Sequence, residues 1–168
     1  MQETTVSIDT NNFKKWDPNQ EGQRFKDFLN LKKKDDESLD ENQISDQSSQ
    51  ILSLCMEPTL NLEKFRSTGL VIGQVQSGKT LSMTAVSAMA QDNGFGIVIV
   101  MSGSVSPLSN QTASRLVKDL KGRKIKKIIN NPKNNWSVED TQKVNRFITT
   151  FNNPSISKER QDTLLLLC

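Results

Sequence analysis

The sequence predicts an α/β fold, a parallel sheet covered on both faces and preceded by N-terminal helices. Three observations carry that expectation. The apolar run GLVIG is followed by a glycine-containing loop, then by the helical pattern KTLSMTAVSAMAQDNG, then by a second apolar run, FGIVIVM. Both runs are continuous rather than alternating, as strands buried on two faces are. A strand, loop, helix and strand in this order form a unit whose two strands lie parallel with a right-handed crossover.

Each element has its own signal. Asp17 followed by Pro18 reads as an N-cap and first helical residue, and Phe25, Phe28 and Leu29 recur at helical spacing, which predicts a first helix over residues 18–33. KKKDDESLDENQ is a charged connector in which Ser38 and Glu41 have the spacing of a capping box. A second helix carries Ile44, Ile51, Leu52 and Cys55 and ends before Pro58. Residues 1–60 thus read as a helical extension and residues 61–168 as the core. Within the core, the helix that follows the loop stops with Gly94 in the C′ position. Ser106 and Pro107 open another helix, with Leu108, Leu116 and Leu120 on its apolar face and Gly122 as its stop. KKII is a short third strand. Ser137 and Asp140 resemble a further helix start, and Val144, Phe147, Ile148 and Phe151 follow the i, i+3, i+4, i+7 rule up to Pro154. TLLLLC reads as a buried strand stopping at the chain terminus, which predicts a core truncated at its C-terminus.

A length of 168 residues allows one domain with a real core and an extension, not two full α/β lobes. Only 34% of residues are apolar and the mean hydropathy is −0.55, so polarity must be localised, and it lies before Ile51 and after Lys118. The net charge of +3 does not by itself argue for a nucleic-acid partner. Its distribution says more: Lys118, Lys121, Arg123, Lys124, Lys126, Lys127 and Lys133 form one basic stretch opposed by Asp119. Cys55 and Cys168 follow no metal-ligand spacing and the chain has no histidine, which excludes a zinc site and a histidine-based dyad. With neither a signal-peptide pattern nor an apolar run of membrane-spanning length, the expected location is the cytoplasm, with reduced thiols and no membrane partner.

The string GQVQSGKT, residues 73–80, fits G-x-x-x-x-G-K-[ST] and lies between an apolar run and a helix start, where a phosphate-binding P-loop belongs. Chance produces the fixed positions in roughly one of 25,000 windows at average residue usage. Gly73 and Gly78 allow the backbone angles that turn successive N–H groups inward, and the following helix aims its positive end at the anion. Lys79 is expected to reach the β- and γ-phosphates of a nucleoside triphosphate, ATP being the expected one, and Thr80 to place its hydroxyl on the bridging Mg²⁺. Gln74, Val75, Gln76 and Ser77 contribute mainly backbone N–H groups. Turnover also needs a carboxylate after a second apolar strand. FGIVIVM is followed by Ser102 and Gly103, so no catalytic residue is assigned.

The stretches ILSLCMEP, GLVIGQVQSGKT, AQDNGFGIVIVMSG and LSNQTASRL, about 70 of the 168 residues, resemble the Z-one domain family, bacterial proteins usually described as endonucleases. Its Gly-x-Val-Gln-Ser-Gly-Lys-Thr element is matched from Gly73 to Thr80, and its Gln-Thr-x-x-Arg element at Gln111, Thr112 and Arg115. Ser109 stands where that family usually has arginine, and its downstream acidic motif is not in the chain. The family is similar to superfamily 2 helicase-like ATPases. The resemblance therefore implies a RecA-like core, a DNA partner, a role in restriction or phage defence, and phosphate contacts from Arg115 and Lys118. A solvent-facing Arg115 paired with a nearby acid is the competing reading. Trp16 and Trp136 are flanked by turn residues and read as local anchors rather than as stacking platforms for bases.

The leading reading is the N-terminal part of a helicase-like ATPase. A second is a nucleotide-binding accessory module without turnover, because the chain has a cradle and no acid. A GTPase-like switch lacks its Asn-Lys-x-Asp string, and a nuclease lacks a cluster of metal-binding carboxylates. Partner subunits are not legible.

Overall fold

The computed structural model describes residues 15–58, 69–72, 78–100, 106–120, 128–129, 138–151 and 164–167. The expected boundary near residue 60 and the loop residues 73–77 lie outside them. The chain divides into two compact units, Met1–Asn93 and Gly94–Cys168.

The first unit holds α1 (Gln23–Asp35), α2 (Glu41–Ser53) and α3 (Lys79–Asp92), with α1 and α2 both packed on α3. Its core is built from Phe25, Phe28 and Leu29 of α1, Leu52 of α2, and Ala85, Ala88, Met89 and Ala90 of α3. The Phe25 and Phe28 rings stack with centroids 6.3 Å apart, within the range where aromatic pairs attract. Small polar residues fill the remainder: Ser48, Ser49, Ser53, Thr84 and Ser87 are buried. Thr84 Oγ1 donates to the Thr80 carbonyl at 2.7 Å and Ser87 Oγ to that of Met83 at 2.8 Å, so these hydroxyls are satisfied inside their own helix.

Helix α1 begins at Gln23 and not at Pro18, because its cap comes from elsewhere in the chain. Asp92, the last residue of α3, accepts from Phe25 N at 2.8 Å and from Arg24 N at 3.3 Å, serving the two N–H groups that a local N-cap residue would serve. Asn93 extends the junction: its Oδ1 accepts from Asn19 N at 2.7 Å, and its Nδ2 donates to the carbonyls of Asn19 at 3.0 Å and Met89 at 2.8 Å. Helix α2 is capped by Asp40, which accepts from Gln43 N at 3.0 Å. The expected Ser38–Glu41 capping box does not form, because Ser38 donates to Asp36 from both N and Oγ. Those two bonds lower the Asp36 pKa from its ordinary value, the hydroxyl bond most. Trp16 is an anchor, its indole N–H donating to the Cys55 carbonyl at 2.8 Å.

The second unit contains β1 (Ile97–Val100), α4 (Ser106–Asp119), β2 (Ile128–Ile129), α5 (Val138–Phe151) and β3 (Leu164–Leu167). The strands are parallel in the order β1-β3-β2, with Ile97 opposite Leu164 and Ile128 opposite Leu166. Val100, Leu116 and Leu120 are buried, and Ile97, Val144 and Phe147 pack partly buried on an apolar cluster. Ile148, expected on the inner face of α5, is exposed.

The expected parallel-sheet P-loop core, RecA-like or otherwise, is not what these residues form. Helix makes up 64% of them, and the strand that must lead into the loop is missing. Residues 69–72 have no regular secondary structure, and Leu70, Val71 and Ile72 are exposed, at 77%, 48% and 68%. The physical reason lies in α3, whose buried side is occupied by α1 and α2.

A Cβ at Gly22 would overlap the Asp92 side chain, whereas one at Gly69 would meet nothing within 4 Å. Gly22→Ala is therefore expected to lower the urea midpoint by the equivalent of about 1–3 kcal/mol, as other overpacked sites do. Gly69→Ala is expected to stay within about 0.5 kcal/mol of the parent. Equal midpoints for the two variants would contradict the close approach of Asp92 to the start of α1.

Candidate phosphate-binding site

Gly78, Lys79 and Thr80 are the described part of the predicted loop. Gly78 is the N-cap of α3 with φ 78° and ψ 21°, in the left-handed region that L side chains rarely adopt. Lys79 and Thr80 follow as the first two helical residues, Lys79 exposed and Thr80 half-buried. Ser82 N donates to the Gly78 carbonyl at 3.0 Å, so the helix is hydrogen-bonded from its first turn. Gly73, Gln74, Val75, Gln76 and Ser77 lie outside the described residues.

The electrostatics of this end differ from those of its neighbours. Gly78, like Gly22 at the start of α1, makes no side-chain capping bond, and neither helix has an acid in its own first turn. By contrast, α1 receives the Asp92 carboxylate and α2 that of Asp40. The first N–H groups of a helix have no intrahelical partner and carry partial positive charge, and Lys79 adds a full charge beside them. An anion with several acceptor oxygens is the natural complement. A hydroxyl in the second helical position, as Thr80 supplies, is the hard oxygen ligand that Mg²⁺ takes together with phosphate oxygens and water.

The remaining sequence candidates separate cleanly. Arg115 and Lys118 are exposed one turn apart on α4, with Ser114 exposed beside them and Leu116 buried behind. Of the basic stretch between Lys118 and Lys133, Lys118 alone is described, and Trp136 is outside. Among the acids with catalytic potential, Asp92 has both oxygens engaged by the N–H groups of α1, and Asp119 is buried at the end of α4. The side chain of Asp140 is not described. No group of three or more metal-binding side chains occurs among the described residues, and no described helix is long and apolar enough to cross a membrane. Burial raises the Cys55 thiol pKa above its ordinary value.

Sequence reasoning missed Asp92 and Asn93 as organisers of the first unit. Their partners are 67 to 74 residues away along the chain, and no local pattern announces them. The nearest signal is the run Asp92-Asn93-Gly94, which was legible only as a helix stop.

An added Cβ at Gly78 meets only the Leu81 Cβ, at 3.9 Å, so substitution there is penalised through the backbone and not through crowding. Gly78→Ala should cost about 1–2 kcal/mol, Gly78→Asn less and Gly78→Val most, because asparagine tolerates the left-handed region and β-branching does not. Urea titrations of the three variants check the order, and a valine variant as stable as the asparagine one would show that Gly78 does not hold this conformation. Comparison with protein families, curated proteins and solved structures finds no match in any of the three.

Proposed function

We propose that the chain binds Mg·ATP through residues 73–80, as part of a cytoplasmic helicase-like ATPase acting on DNA in bacterial restriction or phage defence. The carrying observation is the start of α3: a left-handed glycine with no side-chain cap, followed at once by Lys79 and Thr80, inside a P-loop string. Lys79 pairs with the terminal phosphates, the N–H groups of the first turn hold phosphate oxygens, and Thr80 ligates Mg²⁺. The DNA assignment and the biological role rest on the Z-one resemblance together with the exposed pair Arg115 and Lys118. Two exposed cations acting on phosphates give weak, salt-sensitive binding with little sequence preference.

A second reading, an accessory module that binds nucleotide without turnover, is favoured by the use made of Asp92. Asp92 closes the far end of α3, about 20 Å from Lys79 at 1.5 Å per residue, so its carboxylate does not reach a water at that site. On either reading the 168-residue chain binds Mg·ATP and releases phosphate negligibly.

Lys79→Ala is expected to weaken Mg·ATP binding at least tenfold, about 1.4 kcal/mol, with the helical circular dichroism unchanged. Calorimetry with Mg²⁺ present checks it, and equal affinity in parent and variant would remove the phosphate assignment. A phosphate-release assay on the same samples separates the two readings. Robust turnover that disappears in Lys79→Ala would mean that a catalytic acid operates in this chain.

A further inference from the structure

Asn93 is the only asparagine in the sequence that is followed by glycine. Each residue of the pair has a structural reason to be there. Gly94 takes φ 85° where the chain leaves α3, a conformation in which an L side chain is strained. Position 93 needs an amide, because one side chain must accept from the Asn19 N–H at 2.7 Å and donate to the carbonyls of Asn19 at 3.0 Å and Met89 at 2.8 Å. A carboxylate could make the first of these bonds and neither of the others.

Adjacency gives the pair a reactivity that neither residue has alone. With no side chain on the following residue, the Gly94 nitrogen is unhindered in reaching Cγ of Asn93. A bond forms from Gly94 N to Cγ, the Cγ–Nδ2 bond breaks, and the proton of Gly94 N leaves with Nδ2 as ammonia. The ring left behind is a succinimide, which water opens to aspartate or isoaspartate. Water is consumed, ammonia is released, and nothing is oxidised or reduced. The folded junction blocks the first step twice. Ring closure needs Gly94 N on the same side of the Cα–C bond as Cβ, whereas ψ 15° at Asn93 turns it to the opposite side. It also needs the amide to rotate, and three hydrogen bonds hold that amide in place.

We propose that Asn93 is a deamidation site, silent while residues 19–25 are docked on the end of α3, and that its reaction on opening keeps the junction from closing again as before. In the product an oxygen replaces the Nδ2 donor and faces the carbonyls of Asn19 and Met89, so two hydrogen bonds become two repulsions. The new charge adjoins Asp92 at the C-terminal end of α3, where the helix dipole disfavours it. The isoaspartyl product also lengthens the main chain by a methylene beside Asp92, which holds the N–H groups of Arg24 and Phe25. Because only the open form reacts, the rate in the folded chain is the unfolded rate scaled by the fraction of time the junction is open. Trp16 and Gln20 bear on that fraction: the first bonds the Cys55 carbonyl and the second accepts from the Ser45 hydroxyl at 2.7 Å, and both fasten the segment that carries Asn19 to α2 and its end. The assignment does not depend on the nucleotide reading of residues 73–80.

The test incubates the full chain at neutral pH and physiological temperature and follows the peptide that contains Asn93 by mass spectrometry, which registers the conversion of amide to acid. Asn93 is expected to convert at least tenfold faster in urea than in the folded chain. Gly94→Ala, compared in urea where the strain of its φ is absent, should convert at least tenfold slower than the parent. Folded Trp16→Phe, which loses the bond to the Cys55 carbonyl, should convert at least threefold faster than the folded parent. Asn93→Asp, standing for the aspartyl product, should unfold at a lower urea concentration than the parent and exchange its Phe25 amide hydrogen at least threefold faster. Equal conversion in the folded and unfolded chains would overturn the protection by the junction. An Asn93→Asp chain that matches the parent in both urea midpoint and Phe25 exchange would overturn the unlocking.

Discussion

The first unit is organised around one carboxylate. Asp92 sits in the last turn of α3, where a negative charge is adverse to that helix's own dipole, and its oxygens enter the first turn of α1, where a negative charge is favourable. Hydrogen bonds to a charged acceptor are worth about 1.5–3 kcal/mol, more than a neutral pair, so the gain at α1 outweighs the local cost. The rest follows from that placement. Gly22 must lack a side chain because Asp92 occupies the space, and α1 must begin where the carboxylate can reach. Phe25, whose N–H is held, is delivered with Phe28 and Leu29 into the core.

The same junction explains why α3 has a different role from the one its composition implies. KTLSMTAVSAMAQD is apolar and small on more than one side, which is what a helix packed against a sheet and a second layer requires. It also suits a helix approached closely by two others. Thr84, Ala85, Ser87 and Ala88 present little bulk, and their hydroxyls bond back to carbonyls of the same helix, leaving nothing polar unsatisfied. Periodicity cannot distinguish these partners, since a helix and a sheet bury the same stripe. The choice is made by Phe25, Phe28 and Leu52, which fill the buried side of α3 and leave Leu70, Val71 and Ile72 exposed.

What was legible in the sequence is what local chemistry decides. Helix α3 starts after a glycine and ends before Gly94, which takes φ 85°, and α2 ends well before Pro58, each by a rule operating within a few residues. The apolar runs IVIV and LLLL are strands for the same reason, although their pairing, with β3 between β1 and β2, is set by contacts far apart along the chain. The illegible features are those decided at a distance. Asp17 and Pro18 have the right types to open α1, yet Pro18 is buried and Asp92 does the capping. Ser38 and Glu41 have capping-box spacing, but Asp36 takes the Ser38 hydroxyl and Asp40 reaches Gln43 N first. Gly78, Lys79 and Thr80 were named from a motif of eight consecutive residues, so the expectation of a phosphate site there required no contact at a distance.

Three helix termini in one small unit also make a controlled comparison. The first N–H groups of α1 and α2 are each met by an aspartate, one from across the fold and one adjacent in sequence. Those of α3 are headed by a glycine that contributes no side chain, and the next residue is a lysine, the charge a helix N-terminus favours least. Serine or aspartate in place of an N-cap glycine gains only about a few tenths of a kcal/mol, and at position 78 the left-handed φ of 78° opposes even that gain. Helix α1 is likewise headed by a glycine and has no acid in its own first turn, so what distinguishes α3 is the left-handed backbone of Gly78 and the lysine that follows it. Helix α3 is held from its other end, by Asp92 and Asn93 and by the aromatic core they dock, while its first turn carries the positive charge of Lys79.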